Sequence, residues 1–458
     1  MPLNPACFRA YDIRGVADRD LDDGVCDQLG RAIGTAARRA GARVLALGRD
    51  GRLSSPRIHA ALRAALLATG VDVVDVGIVP SPVLYFAPLH WQLDGHVMIT
   101  GSHNPAEDNG FKLALGGHPL HGDAIQALLR LIDAGDFDIA NAPGSVEERD
   151  AVTPYIDYCR DSLQLGARRF PIVVDAGNGA GGPTAIALYR AMGFEPTELY
   201  CDIDGEFPHH HPDPTVPANL ADLQAKVKAT GAEVGIALDG DADRIGAVDG
   251  NGRILWGDQL MILFGRAILA DKPNATFIAE VKCSQSLFDE LARAGGNAIM
   301  WKVGHSFIKA KMKQTGADLA GEMSGHIFFA NRYLGYDDGI YAGARLLELL
   351  SCGDRTLAQL YDTLPVMVNT PEIRVDCPDD VKFDVVAGAA ARLRARSDVK
   401  SIVDVDGARA LFDGGWGLVR ASNTGPCLVV RCEATDAARL NEIRGIIEGE
   451  IEAARQAL

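Results

Sequence analysis

The chain has 458 residues, 47% hydrophobic and 23% charged, the balance of a soluble globular enzyme and too long for one core. A net charge of −16 argues against nucleic acid as a partner. It does not exclude an anionic substrate, because beyond about 8 Å at physiological salt a local Arg/Lys cluster outweighs the global field. The nine cysteines form no Cys-x-x-Cys pair, which points to reduced thiols and a cytoplasmic location. Residues 1–9 lack the pattern of a signal peptide, and no run of 18 apolar residues predicts a membrane span.

The chain opens on Phe8-Arg9-Ala10-Tyr11-Asp12-Ile13-Arg14-Gly15, read either as an edge strand with solvated charges or as a strand end facing an anion. Residues 43–76 form a βαβ unit. Its strand is 44–47 and its turn 48–52. Ser54 or Ser55 is the expected helix cap, with Pro56 in the first turn. Ile58, Leu62, Leu66 and Leu67 make the apolar face, Gly70 ends the helix, and 71–76 is the second strand. The grammar returns at 172–175, with a helix over 183–192 and a strand near 198–200. It returns again at 276–279, with a helix over 287–294 and a strand over 298–301. Three such units predict three related α/β domains.

The last ninety or so residues differ. They predict a strand at 372–375, then a helix over 381–396 with Phe383, Val386 and Leu393 on one side. Strands follow at 401–405, 408–412, 416–420 and 427–432, and a closing helix is capped near Thr435. This is a smaller α+β domain. The expected organisation is therefore 1–147, 148–252 and 253–366 as α/β domains and 367–458 as α+β, around a central cleft.

Thr100-Gly101-Ser102-His103-Asn104-Pro105 follows the apolar run 97–99. Gly101 permits positive φ or close approach, and Asn104 before proline is biased away from α. Ser102 is expected to stand exposed at a strand end, where α/β folds place their chemistry. The second pole is Leu238-Asp239-Gly240-Asp241-Ala242-Asp243-Arg244. If the backbone is extended, residues two apart point the same way, so Asp239, Asp241 and Asp243 converge. Three carboxylates about 4 Å apart repel by roughly 4 kcal/mol per pair at an effective dielectric of 20. Protons or a divalent cation must relieve that, and oxygen-only ligands favour Mg²⁺ or Ca²⁺. An EF-hand loop is excluded, because its sixth position is Arg244 and its twelfth Gly250. A serine needing activation and a cation with open positions suggest phosphoryl transfer.

Further loops carry polar groups of uncertain use when taken alone. Gly321-Glu322-Met323-Ser324-Gly325-His326 offers Glu322 and Ser324 to sugar hydroxyls, or is a polar turn. Arg420-Ala421-Ser422-Asn423-Thr424-Gly425 suits a dianionic phosphate, or is a hairpin turn. Lys112 and His305 lie beside glycines, in Asn109-Gly110-Phe111-Lys112 and Lys302-Val303-Gly304-His305-Ser306. Gly177-Asn178-Gly179-Ala180-Gly181-Gly182, with Glu198 beyond, matches a dinucleotide fingerprint, so an NAD-dependent dehydrogenase is the alternative from another class. That reading leaves Ser102 and the aspartates unused. His209-His210-His211 is read as a loop, since adjacent side chains diverge.

In their order, Thr-Gly-Ser-His-Asn-Pro, Asp-Gly-Asp-x-Asp-Arg, Gly-Glu-Met-Ser-Gly-His and Arg-x-Ser-Asn-Thr resemble the motifs of the α-D-phosphohexomutases. The resemblance is strongest to the bacterial phosphomannomutase/phosphoglucomutase branch, and runs from Tyr11 to Thr424. It implies a phosphoserine at Ser102, and Mg²⁺ on Asp239, Asp241, Asp243 and the serine phosphate, with Arg244 beside it. Glu322 and Ser324 would hold sugar hydroxyls. Arg420, Ser422, Asn423 and Thr424 would hold the unreacting phosphate. Arg14, His103, Lys112 and His305 are expected at or near the chemistry, and Tyr11, Lys282, Gly304 and His326 at the substrate. The implied reaction moves phosphate between the 1- and 6-positions of glucose and mannose phosphates, primed by a hexose 1,6-bisphosphate. The partners are small sugar phosphates and the protein is expected to be monomeric. Met323 favours this branch over phosphoglucosamine mutases, the nearer alternative, which usually have glutamine there. Ala242 replaces the family's second glycine, and the metal site is expected to survive if Ala242 keeps φ below zero.

Overall fold

The protein is described by a computed structural model covering residues 3–423 and 425–458. Four sheets carry the fold. In the first, Val44–Arg49 lies between Asp72–Ile78 and Gly95–Ile99, all parallel, and Asp108–Leu115 and Ile13–Val16 continue it antiparallel. The second is centred on Ile172–Asp175 and Val234–Leu238, the third on Thr276–Glu280 with Leu319–Gly321. Each pair is parallel, and hairpin strands extend each sheet: Ile245–Asp249 in the second, Ile327–Phe329 in the third.

The continuous apolar run at 44–47 follows from burial on both faces. Leu45 and Leu47 point into a core shared with Ile58, Leu62 and Leu66. Ala46 points the other way, into a core that continues through Val174, Ile236 and Phe277 to Leu364. The first three sheets are therefore packed around common apolar matter. The fourth is antiparallel, is covered by helices Lys382–Ala395 and Ala437–Arg455, and has a core of its own. It meets the third domain through a small cluster of Val281, Trp416 and Leu418. Arg409 reinforces that contact, donating to the carbonyls of Val281 (2.7 Å) and Cys283 (2.8 Å).

Three local expectations need correction. Phe383 is 64% exposed, while Val385, Val386, Ala389, Ala390 and Leu393 are buried; at 100° per residue Phe383 lies about 90° off that stripe. The closing helix is capped by Asp436, which accepts from Arg439 N at 2.9 Å, rather than by Thr435. Ser54 makes no side-chain cap bond, and Ser55 Oγ donates to Asp50 instead, at 2.6 Å. In the second sheet Ile254–Leu255 pairs with Ile245–Asp249. Among the described residues no helix is long and apolar enough to cross a membrane.

Candidate active site

The C-terminal ends of parallel strands in three sheets converge on one cavity of about 600 Å³. Gly95–Ile99 delivers the Ser102 loop, Val234–Leu238 the aspartates, Thr276–Glu280 leads to Lys282, and Leu319–Gly321 to Glu322. The hairpin of Gly415–Ala421 and Cys427–Ala434 closes the cavity from the fourth domain with Arg420, Ser422, Asn423 and Arg431. Strand ends are where side chains leave the sheet while their backbone stays fixed.

Ser102 and the aspartates meet. Ser102 Oγ donates to Asp239 Oδ2 at 2.9 Å and lies 3.2 Å from His103 Nδ1. The expected exposure of Ser102 is wrong. It is 1% exposed, because Gly240 packs on its carbonyl: a Cβ on Gly240 would sit 2.3 Å from Ser102 O. Ser102 itself, not Gly101, has positive φ, at 49°. Gly101 serves close approach, since an added Cβ would fall 2.5 Å from Arg52 Cζ. Arg52 was not singled out from sequence. Its guanidinium donates to the carbonyls of Ser102 (2.7 Å), Asn104 (2.7 Å), Asp108 (2.9 Å) and Pro105. Asp50 pairs with Arg52 Nε at 3.2 Å and accepts from Gly101 N at 3.2 Å. Arg14 adds a clamp from the first strand, to Gly101 O (3.2 Å) and Asn104 Oδ1 (2.7 Å).

The three aspartates converge by a turn rather than by extended backbone. Ala242 N donates to Asp239 O at 3.0 Å, and Ala242 has φ 60°, against the expected negative value. Left-handed backbone costs an alanine roughly 1–2 kcal/mol. The turn holds because three segments pin it: Ala180 N to Gly240 O (2.9 Å), Ser81 N to Asp241 O (2.9 Å) and Gly339 N to Ala242 O (3.0 Å). The first explains the glycine-rich loop. A Cβ on Gly179 would lie 2.7 Å from Gly240 O, and one on Gly181 2.4 Å from Ala242 Cβ. The dinucleotide-like glycines are the bed of the aspartate turn.

All three aspartates are buried, and their carboxylate oxygens lie within 4.8 Å of one another. Burial, then Asp243 and Asp241, push Asp239 well above the usual carboxylate range. Burial alone would also raise Asp241, but Lys112 beside it and the Ser81 hydroxyl hold it below. Lys112 Nζ reaches Asp241 Oδ2 at 2.6 Å and also pairs with Asp243. Asp241 Oδ1 and Asp243 Oδ1 are buried with no hydrogen-bond partner among the described residues. Unpartnered carboxylate oxygens on three clustered aspartates fit a hard divalent cation. Arg244 Nε donates to His326 Nε2 at 2.9 Å, which leaves the ring proton on Nδ1, 3.2 Å from Asp337 Oδ2. Asp337 had no sequence signal beyond its charge.

Around the cavity, Glu322 Oε1 accepts from Gly304 N at 2.7 Å, and Ser324 lines the wall beside it. His305 meets the Tyr11 ring edge-on at 5.2 Å; burial lowers its basicity, and neither ring nitrogen has a hydrogen-bond partner among the described residues, Asp337 Oδ2 lying 3.7 Å from Nδ1. Lys282 pairs with Glu372 at 3.0 Å. Arg420 pairs with Asp406 at 3.0 Å through Nε; its Nη2, like Arg431 Nε and Nη1, is buried without a hydrogen-bond partner among the described residues. Arg431 was missed. Its signal was a lone arginine inside the apolar run Cys427-Leu428-Val429-Val430-Arg431-Cys432. Lys382 fixes the 420–425 loop from behind, donating to Ser422 O (2.7 Å) and Gly425 O (3.2 Å). Thr424 lies outside the described residues. The three histidines diverge: His209 stacks on Tyr200 at 3.8 Å, and His210 Nε2 faces Asp175 at 3.1 Å.

Comparison with known proteins matches this architecture. Four family profiles fit the chain: phosphoglucomutase/phosphomannomutase alpha/beta/alpha domain I over 5–138, domain II over 153–252, domain III over 256–367, and the C-terminal domain over 372–449. The chain is 44% identical to a phosphomannomutase/phosphoglucomutase of Pseudomonas aeruginosa, over 100% of this chain and 98% of that one. It is 45% identical to a phosphoglucomutase of Neisseria gonorrhoeae, over 97% and 96%. A crystal structure of a phosphoglucomutase/phosphomannomutase family protein from Burkholderia thailandensis superposes with a TM-score of 0.92 at 43% identity, covering 99% of this chain and 98% of that one. With its serine seated on the aspartate turn and its whole length matched, the chain belongs to the phosphoglucomutase/phosphomannomutase family.

Proposed function

We propose that the protein interconverts the 1- and 6-phosphates of glucose and of mannose through a phosphoserine at Ser102 and a bisphosphorylated sugar. The observation that carries this reading is the 2.9 Å contact between Ser102 Oγ and Asp239, two groups 137 residues apart in the chain. Asp239, Asp241 and Asp243 would hold Mg²⁺ together with the serine phosphate. Bound there, the cation would offset charge on the transferring group. Arg14 and Arg52 keep the Ser102 loop in register with the aspartates, and His103 and Arg244 stand beside it. Lys112 neutralises the aspartate cluster and holds its oxygens in place. His305, neutral because it is buried, is the proposed acceptor of a sugar hydroxyl proton, with Tyr11 and Gly304 shaping the same wall.

Glu322 and Ser324 are assigned to sugar hydroxyls, with Met323, Lys282 and His326 completing that side. Arg420, Ser422, Asn423 and Thr424 are assigned to the unreacting phosphate. The buried Nη2 of Arg420, without a hydrogen-bond partner among the described residues, supports that assignment. A hexose 1,6-bisphosphate is the proposed primer, since it phosphorylates Ser102 when it leaves as a monophosphate. The protein is proposed to act as a monomer on small sugar phosphates. Nine free cysteines support a reducing cytoplasm.

Intact mass should show one phosphoryl group on Ser102, lost when excess glucose 6-phosphate is added and absent in Ser102→Ala. Glucose 1-phosphate should become glucose 6-phosphate without release of inorganic phosphate. Stoichiometric phosphate release would make the protein a phosphatase instead. Glucose and mannose 1-phosphates should turn over comparably, because Glu322 and Ser324 do not address the 2-hydroxyl. Rejection of either sugar ends the dual specificity.

A further inference from the structure

A second cavity, of about 610 Å³, lies behind the first, between the first and third domains. Tyr11, Lys112 and His305 line both cavities, so they form the partition between them. The volume is that of a small-molecule site. Its side walls are apolar, with Pro88, Leu89, Met312 and Leu334 among them. Several polar atoms on its wall are unpaired. Tyr85 Oη, Ser306 Oγ and His96 Nδ1 line it and are buried without a hydrogen-bond partner among the described residues. Tyr85 is 5% exposed and Ser306 1%. A buried hydroxyl left unpaired costs free energy that a ligand or water atom recovers.

Charge is distributed unevenly along this cavity. Lys309 is matched by Asp337 at 2.8 Å and Lys272 by Asp318 at 2.7 Å. Lys313 has no carboxylate; it lies 3.3 Å from His118 Nε2, and His121 stands nearby on the Phe307 ring at 5.3 Å. The surplus is positive. Extended apolar walls ending at an uncompensated cation suit an amphipathic anion better than a sugar phosphate, which is polar all round.

We propose that this second cavity binds an organic anion with a flat, largely apolar body carrying a carboxylate, sulfonate or phosphate. The body lies against the apolar walls, a polar edge meets Tyr85, Ser306 and His96, and the charge faces Lys313. Because Lys112 and His305 belong to both cavities, an occupant touches the groups that face the substrate. Linkage then requires each ligand to alter the affinity of the other whenever that partition shifts.

The test uses 8-anilinonaphthalene-1-sulfonate as probe with the full chain. Its fluorescence should rise to saturation with a single site. Lys313→Glu should weaken binding about tenfold, the scale of one lost charged contact, and Ala310→Trp, on the exposed rim of the cavity, should abolish it. Both variants should keep wild-type mutase turnover, so a folding defect is recognised separately. Binding that does not saturate, that is indifferent to both variants, or that glucose 1,6-bisphosphate displaces completely with no residual site overturns the proposal.

Discussion

Arg52 should be as necessary to catalysis as any residue that touches the sugar. Its side chain is fully enclosed and serves four carbonyls of the 102–108 segment while pairing with Asp50. In Arg52→Met the carbonyls of Ser102 and Asn104 lose their 2.7 Å partner. A buried acceptor left unpaired costs about 1–3 kcal/mol, so two cost about 2–6 kcal/mol. The loop borders the cavity, so the cheaper response is for it to swing out and take water instead. Ser102 must also hold φ 49°, and the freed loop would relax that too. The prediction is a local failure. Melting should fall by only a few degrees, amide exchange over 101–104 should rise sharply, and kcat should drop by about 10²-fold, the cost of misplacing a reacting group by about 1 Å. Phosphoserine content after treatment with glucose 1,6-bisphosphate should drop in parallel. Arg52→Lys keeps the charge but not the fork, and should fall between. A coupled assay of glucose 6-phosphate formation gives kcat, and intact mass gives the phosphoserine. If Arg52→Met retains kcat within about twofold with unchanged exchange, the loop is held by something else and the reasoning fails.

Other predictions are simpler. Asp241→Asn should weaken Mg²⁺ binding, measured by titration calorimetry, by more than the roughly 10–100-fold that an outer-shell change brings. Arg431→Gln removes from the cavity wall a buried guanidinium whose Nε and Nη1 have no hydrogen-bond partner among the described residues; KM for glucose 1-phosphate should rise about 10–100-fold, one lost charged hydrogen bond. Ala242→Gly relieves left-handed strain but loses a buried methyl and adds unfolded-state entropy. These nearly cancel, so stability by urea titration should stay within about 1 kcal/mol of wild type. Burial, and then Lys309, lower His96 from its usual value to about 3. Since the folded pKa is depressed, protons bind the unfolded chain first, and stability is lost as pH falls below about 6.5. Between pH 7 and 5 that part should amount to about 2 kcal/mol. His96→Gln should flatten the urea-derived profile by that amount, and an unchanged slope would place the titration elsewhere.

Much of this site could be read along the chain because its parts are contiguous. Ser102, the aspartate triplet, Glu322 with Ser324, and Ser422 with Asn423 each follow directly on a strand, so the local string already names the donors. The βαβ periodicity likewise placed three domains and separated them from the antiparallel fourth. Arg52 and Asp337 were not legible, since each looks in sequence like an ordinary surface charge, and Arg431 showed only as a lone arginine in an apolar run. Only packing shows them buried and facing backbone or other charges from distant segments. The same holds for Ala242, whose positive φ is set by Ala180, Ser81 and Gly339 pressing on the turn from three domains. The sequence by itself determined which groups are offered for chemistry and on which strand ends they stand. The tertiary structure alone decided that they meet and what stiffens them. A strand's period and a turn's composition are local, whereas burial and charge pairing depend on neighbours far away in the chain.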